Sequence, residues 1–447
     1  MWSENAHFVD GELEIAGCPA TRLAQEFGTP LFVMDENDFR HRAQRWKKAL
    51  ESNFAEHAGT VYYAAKAFLC VEVARWVNQE GLGLDVCSGG ELAVALAANF
   101  PASKIELHGN NKSEEELHQA ISAGVGTIVV DSLIEIDRIS HIAGAAKKSQ
   151  KILLRITPGV EAHTHEAIAT AHEDVKFGFS IASGAAWNAI VKAQAAPNIH
   201  FAGLHCHIGS QIFNSEGFEL AGKKLVELLA RYKNEFGSEL PELDMGGGYG
   251  IAYTESEKTF DPDNAMSHLA TIIRNECHNS GLKIPSISIE PGRAIVGPTT
   301  CTLYEVGTTK EVRLDHGATR HYVSIDGGMS DNIRPALYGA VYSVAIANRS
   351  PSSRTRSSRI VGKHCETGDI VIHDVALADD VQPGDLLAIP ATGAYGRSMA
   401  SNYNHLPRPA VVAVTAGSAR VILRRESTAD LLALDVVEPP RSMKRGQ

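Results

Sequence analysis

The chain has 447 residues, with 42 Lys and Arg against 53 Asp and Glu, a formal net charge of −11 at pH 7, and 44% hydrophobic residues. That length exceeds one small domain and fits two, with enough apolar residues for large cores. The acidic balance argues against a generic nucleic-acid binder. No apolar run is long enough to span a membrane, and Met1-Trp2-Ser3-Glu4-Asn5 lacks the pattern of a secretory leader, so the sequence reads as cytoplasmic.

The seven cysteines, Cys18, Cys70, Cys87, Cys206, Cys277, Cys301 and Cys365, form no Cys-x-x-Cys pair. This fits reduced thiols, each a small core residue, rather than a disulfide framework or a structural zinc site.

Residues 1–30 are mixed and end at Gly28-Thr29-Pro30, ahead of a short strand at Leu31–Asp35. From there to residue 298, short apolar strands alternate with helical stretches. Eight strands fall near Val61–Ala65, Leu82–Val86, Ile105–His108, Thr127–Asp131, Ile152–Ile156, Phe201–Cys206, Glu242–Met245 and Ser286–Glu290. Between them, Leu225, Leu228, Leu229 and Tyr232 share one helical face, and Ser113 with Glu116 forms a capping box. Parallel neighbours need crossovers, so the alternation implies a parallel sheet, and eight units suggest a closed (β/α)8 TIM-like barrel. An open doubly wound sheet is the alternative.

After residue 298 the runs Arg320–Ile325, Ile360–Val361, Ile370–Ile372, Val411–Thr415 and Ala419–Arg424 read as strands, with turns at Asp326-Gly327-Gly328 and Pro383-Gly384-Asp385. This half is expected to be a mostly antiparallel β-sandwich or barrel domain. The Ser- and Arg-rich stretch Asn348–Arg359 reads as an exposed flexible hairpin loop, with a basic partner-binding loop as the alternative, and the tail after Glu438 as frayed. The expected units are 36–298, the barrel, and 1–35 with 299–447, the β domain.

Chemistry in this barrel is done at the C-terminal strand ends. There the sequence places Lys66, Asp85, His108, Asp131, Arg155, His205 with His207, Gly246-Gly247-Gly248, and Glu290-Pro291-Gly292-Arg293. Lys66 alone could simply reach solvent. With eight polar strand ends around it, it reads as an amine poised for a Schiff base with an aldehyde cofactor. The glycine run suits an anion nest, or else only a tight turn, and Arg293 could add a charge-assisted bond. Lys66, Gly246–Gly248, Glu290 and His207 supply what a phosphorylated pyridine aldehyde needs: an amine, a phosphate cradle, an acid for the ring nitrogen and a flat group against the ring. A metal site from His163, His165, His172, His205 and His207 competes, but the first three lack a ligand spacing. No metal is therefore expected.

With these residues the chain resembles the fold-type III pyridoxal-phosphate decarboxylases, and within them the diaminopimelate decarboxylase family. The likeness covers nearly the whole chain. It is carried by Tyr63–Ala67, His108–Lys112, His163–Glu166, Lys176–Phe179, His205–Gln211, Gly246–Gly248, Glu290–Arg293, Cys365–Asp369, Gly393–Gly396 and Ser401–Asn404.

The resemblance implies pyridoxal 5′-phosphate as cofactor and decarboxylation of meso-2,6-diaminopimelate to L-lysine and CO2, the last step of lysine biosynthesis. It also implies a homodimer with shared active sites and no nucleic-acid or membrane partner. Lys66 would carry the cofactor, His207 stack on its ring and Glu290 bond its ring nitrogen. Asp85, Arg155, Ser210, Gly247, Gly248, Pro291, Gly292, Arg293 and Tyr395 would complete cofactor binding. Cys365 would donate the proton. Arg293, Arg334, Tyr338, Glu366 and Tyr395 would contact substrate, with Cys365 and Glu366 coming from the other subunit. Arg334 suits the distal carboxylate and Glu366 the distal ammonium. Thr157 and Thr367 depart from the family's usual Asn and Ser, small polar exchanges that leave the chemistry intact. Relatives acting on ornithine, arginine or carboxynorspermidine, a racemase, or a non-catalytic binding relative are the alternatives; intact Lys66 and Cys365 argue against the last.

Overall fold

A computed structural model describes residues 1–159, 176–213 and 216–436. The segment with His163, Thr164, His165, Glu166 and His172, and the tail after Glu438, lie outside the described residues.

All eight expected barrel strands form: β1 (Ala58–Ala64), β2 (Gly83–Val86), β3 (Ile105–Leu107), β4 (Thr127–Val130), β5 (Gln150–Thr157), β6 (Ile199–His205), β7 (Glu242–Asp244) and β8 (Ser286–Ile289). Each pairs in parallel with the next, and β8 pairs in parallel with β1 through Ile289 and Val61. The ring is closed, which excludes the open doubly wound sheet. Val61, Leu84, Ile105, Ile128, Leu154, Leu204, Leu243 and Ile287 are buried on the outer face of these strands against the helices, alternating with inward residues such as Asp85, Glu106, Val129, Leu153 and Asp244.

The helices bury the faces their patterns predict. In Glu216–Phe236, Leu225, Leu228, Leu229 and Tyr232 are buried while Glu227 and Arg231 are exposed. The Ser113–Glu116 capping box opens the helix Glu114–Ala123, closing two otherwise unsatisfied backbone N–H groups.

The second sheet runs in the order Ile370–Ala378, Thr355–Val361, Thr319–Ile325, Thr300–Arg313, Leu31–Asp35, Ala410–Thr415, Ser418–Leu423. Most of its pairings are antiparallel. Leu31–Asp35 is fully buried, antiparallel to Thr300–Leu303 on one side and parallel to Ala410–Val414 on the other. The 14-residue strand Thr300–Arg313 also pairs with Leu386–Ile389 and Thr319–Ile325, so it ties the sheet together. Two expectations need correction. Thr355–Arg359 is not loop: it is strand, paired to Ile370–Ala378, while Arg349 is anchored to Asp380 and Asp385. Cys87 is exposed rather than core; Cys365 is exposed as well, and the other five cysteines are buried.

Candidate active site

The strand ends open on a cavity of about 180 Å³, several times what one water needs. Lys66, His207, Ser210, Gly248, Glu290, Arg293, Tyr338 and Tyr395 line it. Strand β1 ends at Ala64, and a single 3-10 turn, Ala65–Ala67, then turns Lys66 into this space. The β domain holds that turn: Tyr395 N–H and Ser398 Oγ–H both donate to the Ala67 carbonyl, each at 2.9 Å. Gly292 packs so close that a Cβ there would stand 2.8 Å from the Ala64 methyl. Burial pulls the Lys66 ammonium down, but Tyr395, Asp85 and Glu290 outweigh it and hold the group above its ordinary pKa.

The turn after β7 forms a tight cradle. A Cβ on Gly246, Gly247 or Gly248 would come within 2.3, 2.2 and 2.4 Å of the carbonyl oxygens of Cys206, Glu290 and Gly209. Gly246 and Gly248 also have φ of +67° and +110°, where only glycine sits without strain. Buried Arg293 bonds Ser210 Oγ at 3.0 Å and the Tyr253 hydroxyl, and its Nε has no hydrogen-bond partner. Among the described residues its partners are hydroxyls, not carboxylates, so its charge remains available to an anion.

His207 accepts the Gly247 N–H at Nδ1, 3.2 Å away. Burial, then Lys66 and Arg155, depress its pKa far below the usual imidazole value. It is a neutral ring facing the cavity. Glu290 is buried, with Oε1 3.0 Å from both His108 Nε2 and His205 Nε2. Burial alone would protonate it; the two histidines reverse that and hold it ionised. Asp85 lies behind, 3.7 Å from His108, and burial pushes its carboxyl up. Arg155 is also buried, 4.0 Å from Asp131 and stacked over the Phe177 ring at 4.4 Å.

Other expected residues stand away from the cavity lining. Arg334 opens the short helix Arg334–Tyr338, is buried, bonds the Tyr342 hydroxyl and lies 4.5 Å over the Tyr253 ring. Since Arg293 also bonds Tyr253, one tyrosine links the two guanidinium groups. Tyr253 and Tyr342 went unassigned in the sequence; the aromatic Gly-Tyr-Gly-Ile-Ala-Tyr turn after β7 was the available signal. Cys365 and Glu366 are exposed and do not line the cavity of their own chain. Their loop is nonetheless built: Asn404 Oδ1 accepts the Cys365 N–H at 3.1 Å, and Asp369 accepts His364 Nδ1–H at 2.8 Å and the Met329 N–H at 2.7 Å.

A glycine cradle that side chains would fill, an arginine with no acid partner, a buried ionised carboxylate and a lysine on one cavity together fit a phosphorylated pyridine aldehyde. Comparison with known proteins agrees. Residues 36–297 match the family model described as "Pyridoxal-dependent decarboxylase, pyridoxal binding domain". The chain is 55% identical over 430 residues to the diaminopimelate decarboxylase of Mycobacterium tuberculosis, covering 95% of each, and 46% identical over 433 residues to that of Bacillus subtilis, covering 97% of this chain and 96% of the other. It superposes on the diaminopimelate decarboxylase of M. jannaschii in co-complex with L-lysine with a TM-score of 0.90 at 33% identity, covering 98% of this chain and 99% of that one. The chain belongs to the diaminopimelate decarboxylases, pyridoxal-dependent carboxy-lyases.

Proposed function

We propose that this cavity removes CO2 from one end of meso-2,6-diaminopimelate and releases L-lysine, with Lys66 holding pyridoxal 5′-phosphate. The observation that carries this is the convergence of Lys66, His207, Gly248, Glu290 and Arg293 on one cavity. When bound, the cofactor supplies a carbonyl that takes the substrate amine and a ring that accepts the electron pair left by departing CO2. Gly246–Gly248, Ser210 and Arg293 hold the phosphate, with Gly247, Pro291 and Gly292 shaping the cradle. His207 offers a flat uncharged face to the ring. Glu290 keeps the ring nitrogen charged, and Asp85 and Arg155 set the field around it. Cys365 Sγ gives its proton to the carbon that lost the carboxylate.

The exposure of Cys365 and Glu366 supports a homodimer in which each subunit completes the other's cavity. Tyr338 and Tyr395 then hold the reacting end of the substrate. Arg334 takes the distal carboxylate and Glu366 the distal ammonium. Residues 36–298 act as the cofactor-holding unit, and 1–35 with 299–447 as the unit that selects substrate. Free thiols and a biosynthetic amino-acid reaction support a cytoplasmic setting; no helix among the described residues is long and apolar enough to cross a membrane.

The test is CO2 release by the purified chain, supplied with pyridoxal phosphate, from meso-diaminopimelate, ornithine and arginine, with Lys66→Ala in parallel. Release from diaminopimelate, abolished in Lys66→Ala, is expected. Comparable release from ornithine or arginine, or an active Lys66→Ala, would overturn the reading.

A further inference from the structure

Beneath the cavity, the barrel interior holds an arrangement that cofactor contact alone does not explain. Four carboxyl groups, Asp85 on β2, Glu106 on β3, Asp244 on β7 and Glu290 after β8, are all buried there with two histidines. One oxygen each of Glu106, Asp244 and Glu290 lies within 4.8 Å of the other two. Both oxygens of Glu106 and one of Asp244 lack an aligned hydrogen-bond partner. Carboxyls so close and so dry cannot all be ionised.

The two histidines are not equivalent. His108 Nε2 lies 3.0 Å from Glu290, 3.7 Å from Asp85 and 3.7 Å from Glu106, so three acids surround it. Among these four acids, His205 contacts Glu290 only, at 3.0 Å, and it feels the positive charge of Arg155. Lys66, His207, Cys206 and Tyr249 are the other titratable groups that feel Glu290. The geometry favours a proton on His108 and a neutral His205.

We propose that His108 is a positioning residue: its imidazolium holds Glu290 ionised within this packed group of acids, while Glu106 and Asp244 keep their protons. This rests on the reading of Glu290 as partner of the cofactor's ring nitrogen. The directions of titration agree. Burial opposes a charged His108, yet Asp85 and Glu290 raise its pKa well above the usual value. Burial lowers His205 to about 4 and raises Glu106 and Asp244.

The test is nitrogen-15 NMR of holoenzyme loaded with ring-labelled pyridoxal phosphate, which reads protonation of the ring nitrogen apart from turnover. In His108→Asn the signal moves toward the unprotonated form, and kcat falls by about a hundredfold with KM changed little, the scale of losing one preorganised charge. In Glu106→Gln the ring nitrogen stays protonated, because that acid was already neutral. An unmoved signal in His108→Asn, or a shift in Glu106→Gln equal to that of Glu290→Gln, overturns the proposal. If Glu290→Gln itself moves nothing, the reading of Glu290 is what fails. Should His108→Asn not fold, the imidazole nitrogen shifts of His108 in the unsubstituted holoenzyme decide: an imidazolium supports the proposal and a neutral ring overturns it.

Discussion

Arg334 illustrates how a single side chain can be charged, buried and still available. Its neighbours are a hydroxyl and two aromatic faces, Tyr342 and Tyr253, and its Nε has no partner. A guanidinium packed this way keeps its charge without spending it on an internal acid. Arg334→Ala is expected to raise KM for diaminopimelate tenfold or more, about 1.5–3 kcal/mol for a lost bond to a charged group, with a smaller effect on kcat. Unchanged steady-state kinetics would remove Arg334 from substrate binding. Lys66 and Glu290 were legible in the sequence because each is a charged residue directly after a buried strand, where burial without purpose is costly. Tyr253 was not, since its meaning lies in two arginines met 40 and 81 residues further along the chain. His108 was visible as a strand end, but its role depends on Asp85 and Glu290, brought to it by two other strands.

At the scale of the element, the turn after β7 is shaped by what surrounds it. Gly248→Ala would put a methyl 2.4 Å from the Gly209 carbonyl at a φ of +110°. The strain, on the order of 1–3 kcal/mol, should appear as roughly tenfold or more weaker cofactor retention in dialysis, while the far-ultraviolet circular dichroism is kept. Retention equal to the parent would mean that the turn holds nothing. A second element carries a pH signature. In the turn before the helix Arg334–Tyr338, Asp331 is buried; burial pushes its carboxyl up to about 7, despite the Tyr304 hydroxyl and the Gly328 N–H that it accepts. A raised carboxyl stabilises the fold below its unfolded pKa, about 4. That contribution is lost as pH rises toward the folded value near 7. Asp331→Asn cannot ionise, so its urea midpoint should gain on the parent's between pH ~4 and ~7. Parallel curves would show that Asp331 is ionised throughout.

The barrel strands were legible because each is a short apolar run between turn signals, and their ends were found to within a few residues. Thr300–Arg313 was missed: Glu305, Thr308 and Lys310 break its apolar pattern, and only the pairing with three other strands makes it one element. Thr355–Arg359 reads as loop on composition, yet its partner Ile370–Ala378 imposes strand on a serine- and arginine-rich sequence.

For the whole molecule, the exposed Cys365 loop and the Lys66 cavity belong to one active site only if two chains share them. Cys365→Ala and Lys66→Ala should each be nearly inactive alone. Mixed under conditions that let subunits exchange, they should recover up to about a quarter of parental activity, since half the dimers are mixed and each has one intact site. No recovery after verified exchange would place Cys365 in its own chain's cavity.

The central position of Leu31–Asp35 also sets a timetable. This strand leaves the ribosome among the first residues, yet its neighbours are Thr300–Leu303 and Ala410–Val414. At about 5–20 residues per second, its second edge stays unpaired for tens of seconds while the whole barrel is made and closes. A fully buried strand waiting that long is where misassembly would start, and a chain that stops short of residue 410 would carry a finished barrel beside a sheet missing one side of its central strand.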